Sequence, residues 1–139
     1  MQLALVLDCR DPERLAPFWA AALGYCEGRF SPPYLTLTDP DGRCPELLLQ
    51  RVPEEKAGKN RMHLDLRVAN LDEPLERCLR FGAQVLRGPF DDRGWLTAVL
   101  ADPEGNELCL IVPPAGPDRD ATLDPRAPGA RIVGGGFGP

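Results

Sequence analysis

The chain repeats itself once, and that duplication limits its possible folds more than any other feature. Each half reads as a strand, a helix, a glycine stop and three strands, with an Asp-Pro-acidic-Gly turn ahead of the last strand. The helix-ending Gly24 and Gly82 are 58 residues apart. The turns opening at Asp39 and Asp102 are 63 apart, and Glu46 and Glu107, just inside each last strand, are 61 apart. Two copies are too few for a solenoid, which needs about three or more units. One copy is too short to bury much of a core alone. The two are therefore expected to bury faces against each other. The fold class that follows is α+β, with two βαβββ modules forming an open, cup-shaped mixed β-barrel with outer helices.

Local signals place the elements. Residues 2–9 are strand-like, and Asp11 with Pro12 supplies an N-cap and a first-turn proline. Leu15, Phe18, Trp19, Ala22 and Leu23 then mark one face of an amphipathic helix, which Gly24 stops. Three strands are expected at about 25–30, 33–38 and 45–52, the first two separated by Pro32 and Pro33. Polar residues 53–61 read as a linker. Residues 62–68 alternate strictly, with Met62, Leu64 and Leu66 on one face and His63, Asp65 and Arg67 on the other. Asn70 and Glu73 have capping-box spacing, and Leu71, Leu75, Cys78 and Leu79 form the second helix stripe. Strands are expected again at about 84–89, 94–101 and 106–112. The modules thus run 1–52 and 62–113 within one domain, 1–113. Residues 114–139 are Pro- and Gly-rich and cannot form a core; Ile132, Val133 and Phe137 could dock that tail on the domain or on a neighbouring subunit.

Composition excludes several roles. A net charge of −5 argues against tracking nucleic-acid phosphates, and no apolar run approaches the roughly 20 residues that span a bilayer. Residues 1–9 lack a basic leader and read as a strand, not a signal peptide. The five cysteines, Cys9, Cys26, Cys44, Cys78 and Cys109, form no C-x-x-C pair. A disulfide framework and a structural zinc site are therefore not expected, and the thiols suit buried positions in a reducing, cytoplasmic setting.

Three segments in this order, DCRDPERLAPFWAAALGY, GKNRMHLDLRV and ADPEGNELCLI, resemble a glyoxalase-like domain of the vicinal oxygen chelate (glyoxalase/bleomycin resistance/dioxygenase) superfamily. The resemblance covers about residues 2–113. It implies the paired-module fold and a pocket for a small molecule. It leaves activity open, since the fold hosts lyases, dioxygenases, epimerases and antibiotic-sequestering proteins. Metal enzymes of the family usually place a ligand on the first and last strand of each module. The matching positions here are Ala4, Glu46, His63 and Glu107. Ala4 cannot coordinate, so no full metal quartet and no cofactor are expected, with His63, Glu107 and Glu46 as the residues able to hold a divalent ion if one binds.

If Leu3, Leu5 and Leu7 and their counterparts Met62, Leu64 and Leu66 face the helices, the opposite side chains line the cup: Ala4, Val6 and Asp8, and His63, Asp65 and Arg67. His63, the only histidine, and Glu107 are the catalytic candidates. The alternative for His63 is a buried imidazole bonded to a carboxylate, and for Glu107 a solvated carboxylate at a strand edge. Asp65, Gln50, Trp95, Tyr34 and Arg67 are the substrate-binding candidates, a mixture of aromatic and polar groups usual for small-ligand sites. Trp95 either covers the pocket mouth or packs on the sheet; Trp19, on the helix stripe, belongs to the core. The expected function is a glyoxalase/bleomycin-resistance-like small-molecule-binding protein. Two alternatives stay open: a metal-dependent lyase or dioxygenase-type enzyme, and an antibiotic-sequestering resistance protein. The expected partners are a small-molecule ligand and a second copy in a homodimer, with no nucleic acid and no membrane.

Overall fold

The computed structural model describes residues 1–115; the tail carrying Ile132, Val133 and Phe137 lies outside the described residues. The first module contains β1 (Ala4–Cys9), α1 (Pro12–Leu23), β2 (Cys26–Ser31), β3 (Tyr34–Thr38) and β4 (Glu46–Arg51). The second contains β5 (Leu64–Arg67), α2 (Asp72–Arg80), β6 (Gln84–Asp92), β7 (Trp95–Ala101) and β8 (Glu107–Val112). Each module forms its own four-stranded sheet, ordered β1-β4-β3-β2 and β5-β8-β7-β6. In both, the first strand runs parallel to the last and the remaining pairs are antiparallel. The same connectivity in both halves is the structural form of the duplication. The sheets do not close into a barrel; they make an open, cup-like arrangement.

The helix signals act as ordinary capping chemistry. The Asp11 side chain accepts from the Arg14 amide at 3.2 Å, and Gly24 ends α1 in the left-handed region at φ 69°. The buried residues of α1 include Leu15, Phe18, Trp19 and Ala22, as a stripe at helical spacing requires. The second helix departs from expectation. Its N-cap is Leu71, with no side-chain cap bond, rather than Asn70. Of the expected stripe Leu71 and Cys78 are buried, while Leu79 is exposed. The first strand of the second module is also shorter than 62–68. Its parallel partner, β8, begins at Glu107 and pairs Leu64 with Leu108, so Met62 and His63 precede the paired stretch. All five cysteines are free thiols; Cys9, Cys78 and Cys109 are buried, but Cys26 and Cys44 are exposed.

One core joins the modules. Leu35, Leu37, Leu47 and Leu49 from the first sheet and Ala98, Leu100, Leu108 and Leu110 from the second belong to the same buried cluster as Phe18 and Trp19. Helix α1 packs on β2, β3, β4 and α2, and Arg77 of α2 donates to the Ala21 carbonyl of α1 at 2.9 Å.

The repeated turn shows how one motif serves two purposes. In the first module Asp39 accepts from the amides of Asp41, Arg43 and Cys44. In the second, Asp102 accepts from the amides of Glu104 and Asn106 and from the Asn106 side chain. Gly105, at φ 91°, lets that chain reverse. Asp102 differs in being only 2% exposed and in accepting the Trp19 indole N–H at 3.0 Å. A buried carboxylate is tolerable only when its acceptor sites are filled, and this one is filled from both modules. Glu104 adds a second tie, accepting from the amides of Arg10 and Asp11.

Burial pushes the Asp102 carboxyl up from its ordinary 3.8, against the hydrogen bonds that pull it down. For an acid with a raised folded-state pKa, ionisation opposes folding, and that penalty fades as pH falls. Asp102→Ala, which orphans the Trp19 and Asn106 donors, is expected to lose about 2–4 kcal/mol in urea unfolding at pH 7. Asp102→Asn should lose less, and the wild type should gain on it as the pH is lowered toward 3.8. A cost for Asp102→Ala under about 0.5 kcal/mol, the usual range for surface changes, would contradict this account of the junction.

Candidate functional site

Strand alternation sends every second side chain of β5, β7 and β8 away from the core. In β5 those residues are Asp65 and Arg67, in β7 Trp95, Thr97 and Val99, and in β8 Glu107, Cys109 and Ile111. With His63 just ahead of β5, Phe90 and Asp92 from β6 and Lys59 from the linker, they line a cavity of about 410 Å³ on the open face of the second sheet. The cavity therefore gathers His63, Asp65, Arg67, Glu107 and Trp95 from the residues singled out in the sequence. Seven further residues line it that were not among those candidates: Lys59, Phe90, Asp92, Thr97, Val99, Cys109 and Ile111. Alternation along β8 against Leu108, Leu110 and Val112 puts Glu107, Cys109 and Ile111 together on this face.

Tyr34 and Gln50 sit elsewhere. They pair with each other across β3 and β4 on the first sheet, and Gln50 also lies opposite Asp8 on β1. Neither lines the cavity of the second sheet. On the corresponding face of the first sheet Val6 is 52% and Tyr34 40% exposed. A small gap of about 50 Å³ marks the seam between β1 and β5, bordered by Val6, Met62, His63 and Glu107 among others.

The cavity has two chemically distinct ends. At one, the Arg67 guanidinium lies over the Trp95 ring at 5.3 Å from its centroid. Such a pair makes a flat cationic and aromatic platform. At the other, His63 Nε2 is 3.2 Å from Asp65 Oδ1. Asp65 stands in register with Cys109 on the adjoining parallel strand, and the Cys109 thiol hydrogen-bonds to it. Burial first, and then the Asp65 charge, push that thiol up to about 11. One donor atom each from His63, Asp65 and Cys109 lies within 4.8 Å of the others.

Glu107 borders the cavity, but its carboxylate is held by the linker. Oε2 accepts from the Asn60 amide at 3.0 Å and lies 3.4 Å from Lys56 Nζ. These residues do not fit the family's metal quartet. Ala4 has no donor, and it pairs in register with Glu46 on the first sheet. Glu46 borders neither the cavity nor the seam gap, and Glu107 is already engaged.

The comparisons with known proteins agree with this architecture. The family model described as a glyoxalase-like domain matches residues 4–111. No curated protein matches the chain in sequence. A glyoxalase/bleomycin resistance protein/dioxygenase family enzyme from Burkholderia phytofirmans PsJN superposes with a TM-score of 0.68 at 19% identity, covering 78% of this chain and 95% of that one. An antibiotic-binding protein from Streptomyces sp. CB03234 gives 0.59 at 24% identity, covering 81% and 97%. A fosfomycin resistance protein from Mesorhizobium loti gives 0.64 at 15% identity, covering 81% and 91%. At these identities the likeness is one of fold.

Burial pushes the Glu107 carboxyl up, but the Asn60 amide, its own amide and Lys56 outweigh it and leave it below the ordinary 4.5. A depressed folded-state pKa gives stability that is full above the unfolded value and is lost as pH falls through the folded one. The wild type should therefore be more stable than Glu107→Gln at pH 7 in urea unfolding, with the two curves converging as pH drops below 4.5. A difference that persists unchanged into strong acid would show that the linker tie is not ionic.

Proposed function

The chain belongs to the glyoxalase-like domain family of the vicinal oxygen chelate superfamily, and from that premise we propose that it binds a small molecule on the open face of its second sheet. The observation that carries this reading is the cavity of about 410 Å³, with an aromatic and cationic platform at one end and His63 with Asp65 at the other. Convergent polar groups beside aromatic and aliphatic side chains, here Trp95, Phe90, Val99 and Ile111, are a usual make-up of a small-ligand site. Trp95 and Phe90 would flank a flat or apolar portion of the ligand. Arg67 and Lys59 would meet its acceptors, and Asp65 and Asp92 its donors.

Antibiotic binding, the property named for the Streptomyces structure, is the form of this function that the same walls accommodate. The polar residues are exposed enough to meet a ligand without chemistry being done on it. A lyase or dioxygenase built on the family quartet has less support, because Ala4 supplies no ligand and Glu107 is tied to Asn60 and Lys56. The proposed setting is the cytoplasm, where five free thiols would stay reduced. A homodimer would cover the open face of the first sheet.

Fluorescence of Trp95 tests the proposal directly. Metal-free protein, kept in chelator, is titrated with a panel that includes bleomycin, fosfomycin and flat aromatic antibiotics, with solution mass followed by light scattering. A binder is expected to change the emission, and the change should vanish in Trp95→Phe. Arg67→Ala should weaken binding by about tenfold, the loss of one contact of roughly 1.4 kcal/mol. Gln50→Ala, on the other sheet, should leave affinity unaltered. Saturable binding insensitive to both Trp95→Phe and Arg67→Ala would place the ligand elsewhere and defeat the reading.

A further inference from the structure

We propose that His63, Asp65 and Cys109 form a zinc-type divalent metal site at the polar end of the cavity, built within one module. This goes beyond the binding reading and does not depend on which molecule fills the cavity. It is also distinct from the family quartet, since it uses one quartet position and draws nothing from the first sheet.

The geometry follows from the end of one strand and its pairing. His63, just ahead of β5, turns its Nε2 to within 3.2 Å of Asp65 Oδ1 on that strand. Parallel pairing of β5 with β8 then sets Asp65 directly beside Cys109. A nitrogen, an oxygen and a sulfur donor converge, all within 4.8 Å of one another. Tetrahedral zinc, with bonds of about 2.0–2.3 Å, brings its donors to about 3.3–3.8 Å apart. The His63 to Asp65 distance of 3.2 Å is already close to that spacing. Reaching it throughout takes closure of the exposed His63 and Asp65 side chains onto the buried Cys109 sulfur.

The donor types select the metal. A thiolate with an imidazole and a carboxylate suits zinc or cobalt(II) and disfavours magnesium and calcium, which prefer oxygen. On binding, the Cys109 thiol releases its proton to solvent and its sulfur takes the metal. One dication then balances the two negative charges of Asp65 and the thiolate. Three protein ligands leave a position open to the cavity, the arrangement of catalytic zinc sites rather than closed structural ones. Glu107 stays with Lys56 and Asn60, so it is not counted as a ligand. Lys59 and Arg67 also face this cavity; their positive charges weaken the site without blocking it.

The test uses the full chain with Cys26→Ser and Cys44→Ser as background, which removes the two exposed thiols. After chelator treatment, cobalt(II) chloride is added and absorption recorded, and zinc chloride affinity is measured by calorimetry. One equivalent of cobalt is expected, with a near-ultraviolet thiolate-to-cobalt band that Cys109→Ser abolishes. His63→Ala and Asp65→Asn should each weaken zinc by more than about 100-fold, the upper end of what loss of even an outer-shell partner costs. Both residues are exposed, so these variants answer the question even if Cys109→Ser fails to fold. Absence of the band, absence of zinc heat, or zinc affinity unchanged in His63→Ala would overturn the proposal. The antibiotic titrations above are run without metal, so failure of one proposal leaves the other standing.

Discussion

A four-stranded sheet has two faces, and each module of this chain supplies one helix. That mismatch governs the molecule. The helices and the shared core occupy one face of each sheet, where Leu37, Leu49, Leu100 and Leu108 lie fully buried. The other faces are left over, and period-two alternation dictates which side chains stand on them. On the second sheet they are His63, Asp65, Arg67, Trp95, Glu107 and Cys109, a set too polar for a dry core and well suited to a cavity. On the first sheet they include Val6, Leu48, Thr36 and Tyr34, with Asp8, Glu46 and Gln50. Duplication produced two similar frames, and the second gathers a histidine, a carboxylate and a thiol within 4.8 Å of one another.

The junction between the frames holds the two unlike faces in place. Trp19 donates from the first module into the buried Asp102 of the second, and Glu104 accepts from the start of α1. Asp39, the counterpart of Asp102, remains a surface turn residue. A motif that merely closed a turn in one copy became, in the other, the acceptor that locks the copies together. The linker adds a third tie through Lys56 and Asn60 to Glu107. That tie engages the carboxylate that family resemblance places at a metal-ligand position.

Much of this was legible in the residues. Alternation over His63–Arg67 and the repeated Asp-Pro-acidic-Gly turns announced two βαβββ modules, and the same alternation assigned Asp65 and Arg67 to the open face. Trp19 was readable as core from its place on the helix stripe, but its bond to Asp102 was not, because the pairing spans 83 positions and depends on how the modules dock. Asn70 looked like a cap, yet tertiary packing began α2 at Asp72 and left Leu79 outside. Tyr34 and Gln50 carried the right chemistry, but strand register keeps them on the other sheet. Alternation along β8 put Cys109 on the face of Glu107, but its thiol was read as a small buried hydrophobe. Its significance lies in register with Asp65, which no periodicity within β8 reveals.

The central claim is that the working surface is the open face of the second sheet and not that of the first. Amide and indole chemical shifts of the metal-free, isotope-labelled chain during titration with phenol and imidazole test it most directly. The account predicts that shifts cluster at Arg67, Trp95, Thr97, Val99 and Ile111. Shifts confined to Val6, Tyr34, Thr36, Leu48 and Gln50 would contradict it.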